Sequence, residues 1–238
     1  MARRTAAAAI NAFVAAAVLA VSGCGGDASS AQQDEPPGGQ VPAGTGYNSD
    51  QLEQALLTDI TGYRRTGRPE SGEYGSLRAI RNFTQLQRQV KLDKPECADA
   101  TRTFDATPEM QQAPAAIATF VKGFGQYATE SLMTVPDEIS ERLVRLRIPA
   151  RCRSFRTKVG DSASSHQVIA AARGRLGQGS RTVGVATVSG PAQVKTWYVV
   201  LRSGGYVATV TLYGPNATRA EAEQLARRVY QRAERVLP

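Results

Sequence analysis

Apolar positions along the chain change their period several times, and each change predicts an element. Asn48-Ser49-Asp50 stands just before Leu52, Ala55 and Leu56, the order of a capped, short amphipathic helix. Residues 61–75 are polar and punctuated by Gly and Pro, with Arg64, Arg65, Arg68, Tyr63 and Tyr74 among them, and read as a loop. Residues 77–92 fit a helix better than a strand. Lys94-Pro95-Glu96-Cys97 opens another helix, because Pro suits a first turn and an acid there complements the dipole. Residues 117–135 read as two strands joined at Gly123-Phe124-Gly125. Pro136-Asp137-Glu138 then starts a helix with Ile139, Leu143, Val144 and Leu146 on one stripe, stopped by Pro149.

Beyond Arg151 the pattern becomes that of strands, expected at 152–159, 167–172, 181–188, 194–202 and 206–213. Ser203-Gly204-Gly205 predicts a tight hairpin, since glycine supplies the positive φ that such a turn needs. Trp197, Val199 and Leu201 share one face of this hairpin and Tyr198 and Val200 the other, so it should be central and covered on both sides. The last element has the clearest borders: Thr218 and Glu221 form a capping-box pair, and Ala222, Leu225, Ala226, Val229, Ala233 and Val236 fall on one helix face. The sum is an α+β domain, a mainly antiparallel β-sheet with helices packed on one face.

The region before Asn48 follows other rules. Met1-Ala2-Arg3-Arg4-Thr5 is basic, and residues 6–20 are small and apolar apart from Asn11. This is the form of a secretory signal, too short for a spanning helix of about 20 apolar residues. It ends in Val21-Ser22-Gly23-Cys24, which resembles the lipobox of bacterial lipoproteins. That resemblance implies cleavage before Cys24, a diacylglyceryl group on its sulfur, and stable anchoring on the outer face of the cell membrane, since two acyl chains hold where one binds only marginally. Residues 25–47 are rich in Gly, Ser, Ala, Gln and Pro and poor in large apolar side chains, as in a flexible tether. The expected organisation is a signal peptide at 1–23, the lipidated cysteine and tether at 24–47, and one domain at 48–238.

Net charge is +8 over the chain. Removing Arg3 and Arg4 with the signal leaves 27 basic against 21 acidic side chains, or +6. The excess is spread out, without a basic run interleaved with aromatics, so nucleic acid is not an expected partner. Arg145, Arg147, Arg151, Arg153 and Arg156 crowd a helix end and strand start, as a patch for anions or as cations answering a helix C-terminus. Asp137, Glu138 and Glu141 sit where acids favour a helix start. His166 lies in a polar run behind Gly160-Asp161-Ser162, which faintly suggests a hydrolase nucleophile but reads better as a turn between strands. No ligand spacing for zinc or calcium and no phosphate loop is visible, so no cofactor or metal is expected. Cys97 and Cys152 remain after Cys24 is assigned to lipid. A disulfide is the default for an even pair outside the cytoplasm, with two separate buried thiols as the alternative.

The order of Cys97 at a helix start, strands ending in Glu130-Ser131-Leu132-Met133-Thr134, a helix, Cys152-Arg153-Ser154-Phe155, the Gly204-Gly205 hairpin and a terminal helix with Ala220-Glu221-Ala222-Glu223-Gln224-Leu225-Ala226 resembles a known family. It is similar to the extracellular sensor domain of the mycobacterial kinase PknH and its stand-alone actinobacterial lipoprotein relatives. The resemblance implies a sheet with helices on one side and a ligand cleft, and carries over no binding residue. The kinase member has two disulfides, whereas this chain can form one. The expectation is therefore a non-enzymatic, ligand-binding or sensor-type lipoprotein, with Trp197, Tyr198 and Tyr206 either lining a concave sheet or filling the core. The alternatives are an envelope protein that docks on a protein partner or anionic wall polymer, and a hydrolase using Ser162 and His166.

Overall fold

The computed structural model describes residues 46–98, 107–123 and 125–237, all within one compact unit. The segment expected to be a signal peptide, Cys24, the expected tether up to residue 45 and residues 99–106 lie outside the described residues.

Among the described residues, the helices of a turn or more are α1 (Ser49–Ala55), α2 (Arg78–Gln89), α3 (Pro108–Gln112), α4 (Asp137–Arg145) and α5 (Arg219–Val236). The strands are β1 (Arg64–Arg65), β2 (Glu70–Glu73), β3 (Lys91–Leu92), β4 (Pro114–Lys122), β5 (Gln126–Met133), β6 (Ser154–Val159), β7 (Ser162–Gly174), β8 (Ser180–Ser189), β9 (Ala192–Ser203) and β10 (Tyr206–Gly214). They form one antiparallel sheet in the order β1-β4-β5-β10-β9-β8-β7-β6-β3, with β2 also pairing to β4.

The local signals explain most of these elements. Asn48 caps α1 in a reciprocal capping box with Gln51. Gly204 and Gly205, at φ 47° and 84°, make the two-residue turn that sets Tyr206 opposite Ser203. Thr218 caps α5 by accepting from the Glu221 amide, but the Glu221 carboxylate does not complete the box. It turns instead to Tyr63 and Gln126.

The α+β class is observed, but the helices cover both faces rather than one. On the first face, Leu52 and Leu56 from the α1 region and Leu225, Ala226 and Val229 of α5 pack on Ala116, Phe120, Leu132, Trp197, Val199, Leu201, Ala208 and Leu212. On the second, Ile139, Leu143 and Val144 of α4 and Met110 of α3 pack on Ala115, Ile117, Met133, Val200 and Val207. The physical reason is in the strands themselves. Successive residues of β9 and β10 are apolar on both sides, and each such side chain removed from water stabilises the fold by about 1.5–3 kcal/mol.

Three further expectations change. The polar loop at 61–75 contains β1 and β2, which pair to the outer edge of β4. The helix expected to open at Pro95 begins as a 3-10 turn, Pro95–Cys97, followed by a helical Ala98, and its continuation lies outside the described residues. Ser162 to His166, read as a turn, belongs to β7, because its polar side chains sit on a part of the sheet that faces water. Cys97 and Cys152 are disulfide-bonded, with a Cα–Cα separation of 5.4 Å. Tyr47, counted with the tether, is already fixed to the domain: its amide donates to Thr134 Oγ1 at 3.1 Å, and its carbonyl accepts from the same hydroxyl at 2.7 Å.

Candidate functional site

The hydrolase geometry is not assembled. His166 stacks on Phe155, with centroids 4.7 Å apart and planes 10° from parallel. Its Nε2 lies 2.7 Å from Thr157 Oγ1 and its Nδ1 3.0 Å from Thr187 Oγ1, so both ring nitrogens are engaged by hydroxyls. Burial lowers the imidazole pKa, opposed by the charge of Asp93. Ser162 opens the same strand opposite Val159, four positions away from His166, which at about 3.3 Å per residue is some 13 Å along β7. A nucleophile and its base must lie within hydrogen-bond reach. Asp137 and Glu138 occupy the first turn of α4, and Glu141 pairs with Arg145 one turn on. Among the described residues, no group of three or more His, Cys, Asp or Glu could hold a metal ion.

The aromatic candidates divide. Trp197 is buried, donates from Nε1 to the Ala217 carbonyl at 3.2 Å, and lies over Gly184, where a Cβ would come within 2.4 Å of the ring. Tyr206 is buried and its hydroxyl donates to Glu234 at 3.3 Å. Both are core. Tyr198 faces the opposite side of β9 and is half-buried. The arginines 145, 147, 151, 153 and 156 are all exposed.

The structure brings forward two charged groups that the sequence did not single out. Glu130, on β5, points into the first core at 2% exposure and accepts from the Leu57 amide at 3.0 Å. Burial pushes its carboxyl up to about 8, although Arg65, Arg232 and Arg228 pull the other way. Those arginines are drawn to the end of α1: Arg65 donates to the Leu57 carbonyl, Arg232 to Gln54 at 3.0 Å and Arg228 to Asp59 at 3.1 Å. A buried carboxyl group holding an amide and three guanidinium groups capping carbonyls is a brace that locks α1 onto α5 and the sheet. An open cleft of about 750 Å³ lies beside it, lined in part by Glu53, Leu56, Arg65 and Arg232.

The second group is Arg181 on β8, 7% exposed and turned to the α4 side of the sheet. A buried arginine is rare unless paired. The clue for both groups was parity. Glu130 alternates with Ala128 and Leu132, and Arg181 with Val183, but the parity of a strand assigns a face only once its neighbours are known.

The same fold occurs in solved structures. The extracellular domain of PknH from Mycobacterium tuberculosis superposes with a TM-score of 0.54, covering 80% of this chain and 98% of that one at 10% identity. An uncharacterised protein from Mycobacterium smegmatis, an Rv0999 orthologue, superposes with a TM-score of 0.50, covering 78% of this chain and 97% of that one at 13% identity. At these identities the likeness is one of fold. No family model matches the chain, and no curated protein matches it.

Proposed function

We propose that this chain is an extracytoplasmic lipoprotein, anchored through Cys24, whose single domain is a non-enzymatic ligand-binding or sensor-type module. The observation that carries the reading is a fold also found in the extracellular domain of a kinase, preceded in the sequence by a stretch that resembles a secretory signal and ends in Val21-Ser22-Gly23-Cys24. The Cys97–Cys152 bond supports it, since disulfides persist in oxidising compartments. The engagement of both His166 nitrogens by threonine hydroxyls, remote from Ser162, supports the non-enzymatic part.

The anchor is tested by expressing the chain and its Cys24→Ser variant in an actinobacterial host with a labelled fatty acid. Wild type should carry label and sediment with membranes; the variant should lose both. Equal partitioning of the two forms would refute the anchor.

Five exposed arginines between Arg145 and Arg156 favour a second reading, docking on an anionic wall polymer or protein through surface charge. Retention on cell-wall fragments that collapses between low and high salt would favour docking, whereas salt-insensitive binding would favour a ligand held inside the domain.

A further inference from the structure

Three arginines stand side by side on the α4 face of the sheet. Arg173 on β7 is directly opposite Arg181 on β8, and Arg181 is opposite Val200 on β9. Val200 packs against α4, which fixes the face, and Arg202 lies two residues further along the same side of β9. The two outer arginines are tied to α4: Arg173 donates to the Arg145 carbonyl at 3.3 Å, and Arg202 Nη1 lies 3.5 Å from Ser140 Oγ. The helix thus roofs the row.

The middle member is the anomaly. Arg181 is 7% exposed, its Nε is enclosed without a hydrogen-bond partner, and no carboxylate among the described residues is bonded to it. Like charges directly opposite on a sheet repel. A buried, unpaired guanidinium carries a further desolvation cost, which burial expresses by lowering its pKa. Val183 and Val185 continue the same face of β8 with apolar side chains. The neighbouring arginines differ in access. Arg173 is exposed and Arg202 half-buried, so the row opens to solvent on the β7 side and closes beneath α4. Guanidinium groups recognise oxyanions through paired N–H donors.

We propose that Arg173, Arg181 and Arg202 form a binding site for a phosphate-type oxyanion under α4. The inference deepens the ligand-binding reading, on which it rests, by naming the site and the class of ligand, and it is independent of the lipid anchor. The bound group is tetrahedral and multiply charged, and it is carried either by a small molecule or wall polymer or by a phospholipid head group.

The test uses the whole mature chain with Cys24→Ser, so that no acyl group contributes, together with Arg181→Met, which keeps the length of the side chain and removes its charge. Inorganic phosphate, titrated at constant ionic strength, should raise the melting temperature of the first protein by about 5 °C or more at 100-fold over its dissociation constant. Arg181→Met should melt no lower than the parent without phosphate, because it discards an unpaired buried charge, and should show no phosphate shift. A structural arginine would give the opposite pair of results, a lower melting point and an unchanged response.

Vesicles of phosphatidylglycerol in phosphatidylcholine, against phosphatidylcholine alone, separate the sources. Capture by the anionic vesicles, lost in Arg181→Met, assigns the group to a lipid head. A phosphate shift without capture assigns it to a soluble or polymer-borne phosphate. A parent that responds to neither, or an Arg181→Met that responds as the parent does, overturns the site. In that event, saturable binding of an uncharged ligand would leave the broader ligand-binding reading in place.

Discussion

Replacing Glu130 with Gln should make stability less sensitive to pH, and the size of the effect follows from its surroundings. The carboxyl is buried at 2% exposure and its pKa is pushed from 4.5 up to about 8. At 1.36 kcal/mol per pH unit, ionising it inside the fold costs up to about 5 kcal/mol relative to ionising it in the unfolded chain. The sign follows from linkage. The folded state holds this proton where the unfolded state has released it, so stability falls as pH rises from about 4.5 to about 8 and is flat outside that window. Glutamine keeps an oxygen acceptor for the Leu57 amide and has no proton to lose. Urea unfolding of both proteins at pH 5, 7 and 9 should therefore show Glu130→Gln gaining on wild type by about 4 kcal/mol between the extremes, with all other titrations cancelling in the difference. A difference that stays constant with pH, or that favours wild type at pH 9, would refute the reasoning. It would mean that Arg65, Arg232 and Arg228 hold Glu130 as a buried ion pair.

Two other changes probe the frame. Replacing Cys97 and Cys152 by Ser opens a loop closed over a separation of 55 residues and should cost about 4 kcal/mol in chain entropy, read as a lower urea midpoint that reductant no longer moves; a loss under about 1 kcal/mol would remove the bond as a stabilising feature. Gly184→Ala puts a methyl 2.4 Å from the Trp197 ring and should cost about 1–3 kcal/mol while shifting the emission of the chain's one tryptophan; an unchanged melt and spectrum would show that the indole moves aside freely.

The parts of this fold that were legible in the sequence are those where apolar pattern and turn chemistry agree. β9 and β10 are fixed by their β-branched and aromatic runs around Gly204-Gly205, and α5 by Thr218 and its apolar stripe. β1 and β2 were hidden because they lie at an edge and bury little, so no alternation marks them. Ser162 to His166 extended β7 backward for the same reason: a strand exposed to water can be written in serine. The two-sided cover of the sheet was implied by the Tyr198 and Val200 face of the hairpin, yet the rule that gathers helices on one face of an antiparallel sheet outweighed it. Of the candidate sites, the disulfide was legible from cysteine count alone. Glu130 and Arg181 were not, because a charged residue inside a strand declares its burial only through the partners beside it.

An open sheet exposes unpaired backbone at its borders, and here the outermost strands among the described residues are short. On one side the outermost pieces are Arg64–Arg65 and the four residues Glu70–Glu73; on the other only Lys91–Leu92. A second molecule arriving at these outermost strands would find a short template flanked by charge, the kind of border that resists extension by another chain.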